Sequence, residues 1–252
     1  GFKNKLQNTL EQLKKSTSSE EKKPLIYAVK KMLQERIKKK KIYATKKIGN
    51  SNYFSLIEDK NGCIVVNSLQ INTSLSTNLS VFEYDDVMGL SATPPVVFLQ
   101  LSYRGTIIGD LHISLDGRPG HAQQFLELCT GSSGRGSYRG ARFDYIGNKS
   151  RLWEAVYCEG FIDTAGATEI AAIRQVEYDW TVRTPVTEGV VFGVGGQNAD
   201  FMIVTNITSN SKGSPVIGHV TSGLPDLQAA VARYTDGDIE FSETGLIIDA
   251  SV

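Results

Sequence analysis

Apolar residues recur at helical spacing at the start of the chain. Leu6, Leu10 and Leu13 lie three or four positions apart, and Phe2 extends the same stripe. This spacing predicts a helix over residues 2–15 with one narrow apolar seam. Such a seam must be buried, against a second helix, against the rest of the chain or in a coiled coil.

A second helical stripe follows a short serine-rich break. It predicts a helix from about Pro24 to Lys40, and Ser19 fits the N-cap because acidic residues come in the next turn. The stripe consists of Leu25, Val29, Leu33 and Ile37, widened by Ile26 and Met32.

The pattern changes from helical to strand-like after Ile48. Two β-rich runs flank Asn61-Gly62, a dipeptide typical of two-residue hairpin turns. The Thr-Pro-Pro at 93–95 then interrupts the chain before a new strand. We therefore divide the chain into a basic helical arm or coiled-coil end over 1–47, a β-hairpin linker over 48–92 and a main domain over 93–252.

The main domain is predicted to be mainly β. Alternating apolar residues on both sides of Arg104-Gly105 indicate a hairpin, and further alternating runs indicate more strands. A helix is predicted within 117–131, with Pro119 in its first turn and Gly131 at its end, and a second short helix within 224–234. Many strands with two isolated helices favour a closed β-barrel with helical lids.

Charge divides the chain unequally, although the net charge is zero. Residues 1–47 hold 15 Lys and Arg against 4 Asp and Glu, whereas the remainder holds 12 against 23. A basic arm thus precedes an acidic body. The lysine run at 38–41 could bind nucleic acid, direct nuclear import, dock on the acidic body, or be a solvated helix end.

The cysteines and histidines give no pattern for a metal or cofactor. Cys63, Cys129 and Cys158 are odd in number and widely spaced, unlike a disulfide framework or a zinc site. No run of apolar residues is long enough for a membrane span. We expect no cofactor, reduced packed cysteines, and an intracellular location, cytoplasmic or nuclear.

Six segments between 96 and 252 resemble, in order, those of the cyclophilin family of prolyl isomerases. They are the opening hairpin VVFLQLSYRGTIIGDLHISL, the helix PGHAQQFLELCTG, the strand entry YRGARF, the strand ADFMIVT, the late segment PVIGHVTSGLPDLQAAV and the last strand LIIDASV. The resemblance implies an eight-stranded antiparallel barrel with two capping helices. It does not cover residues 1–95.

The resemblance also implies that the catalytic groove has been rewritten. The family's His-Arg pair aligns with Asp144 and Tyr145, and a neutral phenol cannot replace a charged guanidinium fork. The Phe-x-x-Gln segment that follows aligns with Val156 and Glu159. Two further groove positions of the family, a Gln and a Phe, align with Asp200 and Met202, and its Trp-Leu pair and its His fall near Ser209, Asn210 and Ser214.

We interpret the chain as a pseudoenzyme without the catalytic Arg, a protein-interaction module within a larger multidomain protein. The expected partner is a protein, through a basic or proline-containing peptide, rather than a nucleic acid or a membrane. It would bind the altered groove or the insertion over 147–155. The candidate binding residues are Asp144, Tyr145, Trp153, Val156, Tyr157, Glu159, Asp200 and Met202.

Two alternatives remain open. The chain could be a weak prolyl cis-trans isomerase that uses Tyr145, Arg142 or Arg151. It could instead be an assembly element, in which residues 2–40 self-associate and the barrel is a scaffold of a ubiquitin-ligase or nuclear assembly.

Overall fold

The computed structural model describes residues 1–71, 79–176, 181–194, 196–213 and 215–248. The described residues form five helices and 18 strands, and the chain is mainly β, as the sequence predicts. It divides into two compact units. Unit 1 comprises Gly1–Thr93 together with residues 246–248, and unit 2 comprises Pro94–Gly245.

Unit 1 begins with the two predicted helices, α1 (Phe2–Lys15) and α2 (Ser19–Ile37), which pack on each other. The seam of α1 is buried through Leu6, Leu10 and Leu13. Helix α2 starts earlier than predicted, and the expected cap is wrong by one residue. Ser18, not Ser19, accepts a hydrogen bond from the Glu21 backbone N–H, so Ser19 is the first residue of the helix.

Five strands and a short helix complete the part of unit 1 that lies within residues 1–93. They are β1 (Ile42–Ile48), β2 (Ser51–Lys60), β3 (Cys63–Asn67), β4 (Gln70–Ile71), β5 (Ser80–Glu83) and α3 (Tyr84–Met88). The predicted Asn61-Gly62 turn joins β2 to β3, and both residues have positive φ, as this turn type requires. The polar composition of residues 72–80 is typical of a loop, but residues 72–78 lie outside the described residues and Ser80 begins β5.

Two ion pairs link helix α3 to the rest of unit 1. Lys14 Nζ lies 2.5 Å from Asp86 Oδ1, and Lys46 Nζ lies 2.9 Å from Asp85 Oδ1. The Asp86 side chain is almost fully buried, so its charge needs this partner. Some lysines of the N-terminal segment thus form ion pairs within unit 1.

Unit 2 contains the remaining elements. In chain order they are β6 (Val96–Tyr103), β7 (Thr106–Ser114), α4 (Pro119–Thr130), β8 (Gly136–Ser137), β9 (Tyr145–Lys149), β10 (Trp153–Cys158), β11 (Phe161–Asp163), β12 (Thr168–Glu169), β13 (Thr184–Pro185), β14 (Val190–Gly193), β15 (Phe201–Ile207), β16 (Lys212–Gly213), β17 (Val216–Ser222), α5 (Leu224–Arg233) and β18 (Glu240–Ile247). The predicted hairpin at Arg104-Gly105 and the two predicted helices are all present. Gly131 ends α4 with φ 70°, the left-handed conformation of a C-cap glycine.

Eight strands of unit 2 follow one another in the order β18-β6-β7-β17-β14-β15-β10-β9. Their ladder is an open path and not the closed barrel that the sequence predicts. The two ends are nevertheless joined by backbone hydrogen bonds, from Phe143 N to Ile239 O at 3.0 Å and from Phe241 N to Ala141 O at 2.8 Å. A single β-bridge, between Arg142 and Glu240, accompanies them.

An aromatic cluster fills the centre of unit 2. The centroid of the Phe201 ring lies 4.9 Å from that of Phe125 and 5.0 Å from that of Tyr138, and the rings meet edge to face. Phe143 and Phe241 pack on the same group, 4.8 Å apart. All five rings are essentially inaccessible to solvent. Edge-to-face packing adds to the stabilisation from their buried area, so this cluster fixes the elements that carry it.

Strand β18 is divided between the units. Its residues up to Gly245 belong to unit 2, where the strand neighbours β6. The following residues belong to unit 1, where Ile248 N donates to Ile64 O at 3.1 Å beside β3. The last described strand is therefore a structural part of both units.

The cap of α2 provides a direct test of the observed helix start. Ser18→Ala should lower the free energy of unfolding by about 1 kcal/mol, because the Glu21 N–H loses its acceptor. Ser19→Ala, one residue on, is the matched control and should change stability by less than about 0.5 kcal/mol. Urea denaturation followed by far-UV circular dichroism measures both. A larger loss in Ser19→Ala would contradict the observed cap.

Candidate functional site

Four neighbouring strands, β9, β10, β15 and β14, hold three predicted site residues and Phe192 in one row across the sheet. Tyr145 pairs with Tyr157, Tyr157 pairs with Met202, and Met202 pairs with Phe192. Because paired residues project from the same face of a sheet, these side chains share one side of the sheet. The Tyr145 and Tyr157 ring centroids are 5.7 Å apart.

Asp144 and Tyr145 both interact with Glu159. The Asp144 carboxylate accepts a hydrogen bond from the Glu159 backbone N–H at 2.7 Å. The Glu159 side chain raises the pKa of the Tyr145 phenol. The structure thus brings together three of the predicted site residues, and we call Asp144, Tyr145, Tyr157, Glu159 and Asp200 the tyrosine–carboxylate cluster.

Tyr157 connects Asp200 to this cluster. Its hydroxyl donates to Asp200 Oδ2 at 2.7 Å. Asp200 is only 7% exposed, at the start of β15, so most of its carboxylate is hidden from solvent. The accessible part of the cluster is therefore Tyr145, which is 44% exposed, together with the half-buried Asp144 and Glu159.

The carboxylates raise the pKa of both phenols. For Tyr145 the main cause is the hydrogen bond to Glu159, followed by the charge of Glu159, with smaller effects of Asp144 and Asp236. For Tyr157 burial comes first, and the hydrogen bond to Asp200 second. Both tyrosines are consequently neutral donors over the physiological pH range.

The arginines considered as substitutes for a catalytic Arg lie on two different segments. Arg142 Nη1 approaches the Gly237 carbonyl at 3.5 Å, and its backbone pairs with Glu240. Arg151 is exposed in the turn between β9 and β10. The predicted insertion 147–155 includes this turn and parts of both strands of the hairpin.

Trp153 and Met202 pack on a different, apolar part of the same side of the sheet. Both contact a buried group that the chain supplies itself, formed by Val186, Val190, Phe192, Val204 and Val216. The Trp153 and Phe192 ring centroids are 6.5 Å apart. The apolar surface next to the cluster is thus filled by the chain's own side chains, and Trp153 is half-buried in it.

Val156 does not reach the surface. It is fully buried and pairs with Ile203 on the inner side of β10, whereas its neighbour Tyr157 faces outward. The pairing of β10 is irregular on both sides, near Glu154 and Ala155 toward β15 and between Ala155 and Tyr157 toward β9. Such irregularities change which residues point outward, and Val156 is not part of the exposed surface.

Sequence reasoning missed two contributors to this region. Asp236 Oδ1 accepts from the Ile146 backbone N–H at 2.7 Å and adds another acid beside Tyr145. Its only sequence signal is the turn-forming stretch around Gly237. Val186 covers the apolar side from a segment that had no assigned role. Ser209 and Asn210 are exposed after β15, and Ser214 lies outside the described residues.

Other chemistry has little support in the described part of the chain. No group of three or more His, Cys, Asp or Glu side chains there could hold a metal ion. Cys129 and Cys158 are buried, and burial raises the pKa of both thiols. None of the described helices is long and apolar enough to cross a membrane.

Comparisons with known proteins identify no family. No family of known sequences matches the chain, and no curated protein matches it. Among solved structures, the crystal structure of the Mimivirus cyclophilin is similar, with 18% identity, 64% of this chain and 92% of that chain covered, and a TM-score of 0.43. An identity and a TM-score this low assign neither a family nor an activity to this chain.

The Tyr157–Asp200 hydrogen bond can be tested by pH. Tyr157→Phe should lower the free energy of unfolding by about 1–3 kcal/mol at pH 8, since it leaves a buried carboxylate oxygen without its donor. The pKa of the Tyr157 phenol is higher in the folded state than its unfolded value of about 10. The neutral phenol therefore stabilises the folded state at pH values below about 10, and this contribution is lost as the pH rises further. The difference between wild type and variant should therefore shrink as the pH rises past about 10.

Urea denaturation between about pH 8 and pH 10.5 measures this difference. Tyr27→Phe, a change at a highly exposed phenol in unit 1, is the control and should leave the free energy of unfolding unchanged. A difference that grows with pH would contradict the assigned donor and acceptor.

Proposed function

We propose that unit 2 is a cyclophilin-like domain without isomerase activity, and that it binds a protein partner through the tyrosine–carboxylate cluster. The observation that carries this proposal is the position of Tyr145, which directly follows Asp144, the acceptor of the Glu159 N–H at 2.7 Å, and lies against the Tyr157 ring. At the position where the sequence resemblance expects a free cationic fork, the chain has a neutral phenol among carboxylates.

The chemistry of isomerisation explains why this exchange matters. Rotation about the bond before proline has a barrier of about 20 kcal/mol, set by amide resonance. A positioned cationic donor lowers the barrier by favouring the twisted imide over the planar one. A phenol beside Asp144, Glu159 and Asp236 offers weaker donation and a negative field at the place where the imide would dock.

The strand arrangement supports the cyclophilin-like part of the proposal. Eight strands of unit 2 form one path, in which β6, β7, β17, β14, β15, β10 and β9 pair antiparallel. The two ends of the path are joined at Phe143 and Ile239, and two helices accompany the strands. Of the sequence segments that resemble the family, four coincide with β6–β7, α4, β15 and β17–α5, and the last one begins in β18. The apolar surface beside the cluster is occupied by Val186 and its neighbours, which leaves less room for a proline ring.

The partner's chemistry follows from the charge of the cluster. Asp144, Glu159 and Asp236 surround an exposed phenol within one small area. This surface suits a basic peptide segment, with or without a proline, whose lysines or arginines meet the carboxylates. The proposal includes an intracellular location and a larger parent protein, and self-association through residues 2–40 stays a prediction.

Isomerase activity should be absent. In a protease-coupled assay with an alanyl-prolyl peptide, the wild-type chain should give the uncatalysed rate, because a missing preorganised donor typically costs about 100-fold or more. Tyr145→Phe should behave identically. Activity above background that Arg142→Ala or Tyr145→Phe removes would overturn the pseudoenzyme proposal.

Basic-peptide binding should depend on the cluster. We expect a fluorescein-labelled ten-residue peptide, with lysines and arginines around one proline, to bind at low salt. Glu159→Lys should weaken it about tenfold or more, because attraction becomes repulsion. Glu188→Lys is the control with the same charge change at an exposed acid that makes no contact in the cluster, and it should alter the affinity about twofold at most.

Fluorescence anisotropy measures this binding, with circular dichroism to show that each variant is folded. Equal losses in Glu159→Lys and Glu188→Lys would show a general charge effect and contradict a site at the cluster.

A further inference from the structure

Unit 1 contains a wide groove that the proposed function of unit 2 does not use. It has a volume of about 1020 Å³ and lies between one face of α2 and residues 89–93, which follow α3. The α2 positions that line it recur every three or four residues from Ser19 to Gln34, so they form one continuous helical face.

The helical wall of this groove is cationic. Lys22, Lys23, Lys30 and Lys31 all line it, and no Asp or Glu is among its described lining residues. Lys30 is only 8% exposed and already has an interaction partner, so the cations that face a ligand are the exposed Lys22, Lys23 and Lys31. Glu20 pairs with Lys23 at 3.1 Å, but both side chains are largely exposed, so this pair is weak and easily exchanged. The lysines occur as two pairs about 12 Å apart along the helix axis, given a rise of about 1.5 Å per residue.

The same groove offers apolar contacts between the lysine pairs. Ile26 and Tyr27 lie on α2 between them, and Leu90 and Ala92 face them from the other wall. Tyr27 is 69% exposed, the most exposed large apolar side chain of the described residues. An exposed tyrosine at the centre of a groove is the kind of residue that anchors a binding partner.

We propose that this groove binds an acidic peptide segment of another protein, with an aromatic or aliphatic side chain seated on Ile26 and Tyr27. Carboxylates on both sides of that side chain would meet Lys22 and Lys23 at one end and Lys31 at the other. The charge complementarity selects an acidic occupant, and the apolar centre selects one with a hydrophobic anchor.

A peptide fits these features better than a nucleic acid. Nucleic acids are held mainly by phosphate contacts, and a cationic surface suffices for that. The apolar side chains between the lysine pairs, and the backbone of residues 89–93 opposite them, suit side-chain and main-chain groups of a peptide. A nucleic acid and a second copy of this chain are the other occupants that the experiment separates.

Binding can be measured on the full chain with a fluorescein-labelled ten-residue peptide of glutamates that contains one phenylalanine and one leucine. The comparison probes are the same peptide with alanine at both apolar positions and a labelled ten-nucleotide single-stranded RNA. The test variant is Lys22→Glu with Lys31→Glu. Its matched control is Lys38→Glu with Lys39→Glu, the same charge change at exposed lysines beyond the end of α2.

The acidic peptide should bind with a Kd below about 100 µM at low salt and more weakly as salt rises. The Lys22→Glu/Lys31→Glu variant should lose about tenfold or more in affinity, whereas the Lys38→Glu/Lys39→Glu variant should lose about twofold at most. Tyr27→Ala should weaken binding several-fold without a change in circular dichroism, since the side chain is exposed. The all-alanine peptide should bind more weakly than the parent peptide.

Several results would overturn the proposal. They are no binding of the acidic peptide at about 100 µM, equal losses in the two lysine variants, or tighter binding of the RNA than of the peptide. Light scattering that shows a wild-type dimer dissociated by Lys22→Glu/Lys31→Glu would assign the groove to a second copy. Failure of basic-peptide binding at the tyrosine–carboxylate cluster would leave this groove unaffected, because the variants and probes are different.

Discussion

The five aromatic rings inside unit 2 come from α4, from the segment before β9, from β15 and from β18, and Phe201 contacts several of the others. Phe143 is held in this cluster and in the backbone bonds that join the two ends of the strand path. Asp144 and Tyr145 follow it directly, so the core determines where the candidate site begins. Asp200 precedes Phe201 and is placed by the same packing. The packing of the aromatic core therefore positions the residues of the candidate site on the surface.

Local sequence signals led to correct predictions where the interactions are local. The two hairpin turns need positive φ, which Asn61, Gly62 and Gly105 adopt readily, so both hairpins could be predicted. The start of α2 could not be placed to one residue, because Ser18 and Ser19 are equally good caps and only the geometry distinguishes them. Strand β1 was not predicted, because its lysines interrupt the alternation of apolar and polar residues.

The candidate site could be predicted only in part, because much of it depends on contacts between distant segments. The sequence resemblance named Asp144, Tyr145 and Glu159, which the structure places close together. It also named Val156, which is buried beside an irregular pairing in β10 that the residue pattern does not show. It also gave no hint of Asp236 or Val186, which reach the region from other parts of the chain. Long-range packing decides which surface is open, and a single sequence carries no record of it.

Strand β18 has a consequence for the order in which the protein can fold. During synthesis, residues 1–93 leave the ribosome first, but the segment beside β3 is made only after all of unit 2. The β3 edge therefore stays uncovered throughout translation of the second unit. An unpaired edge of this kind can pair with the edge of another nascent chain, so β3 is exposed to mispairing until residues 246–248 have been made.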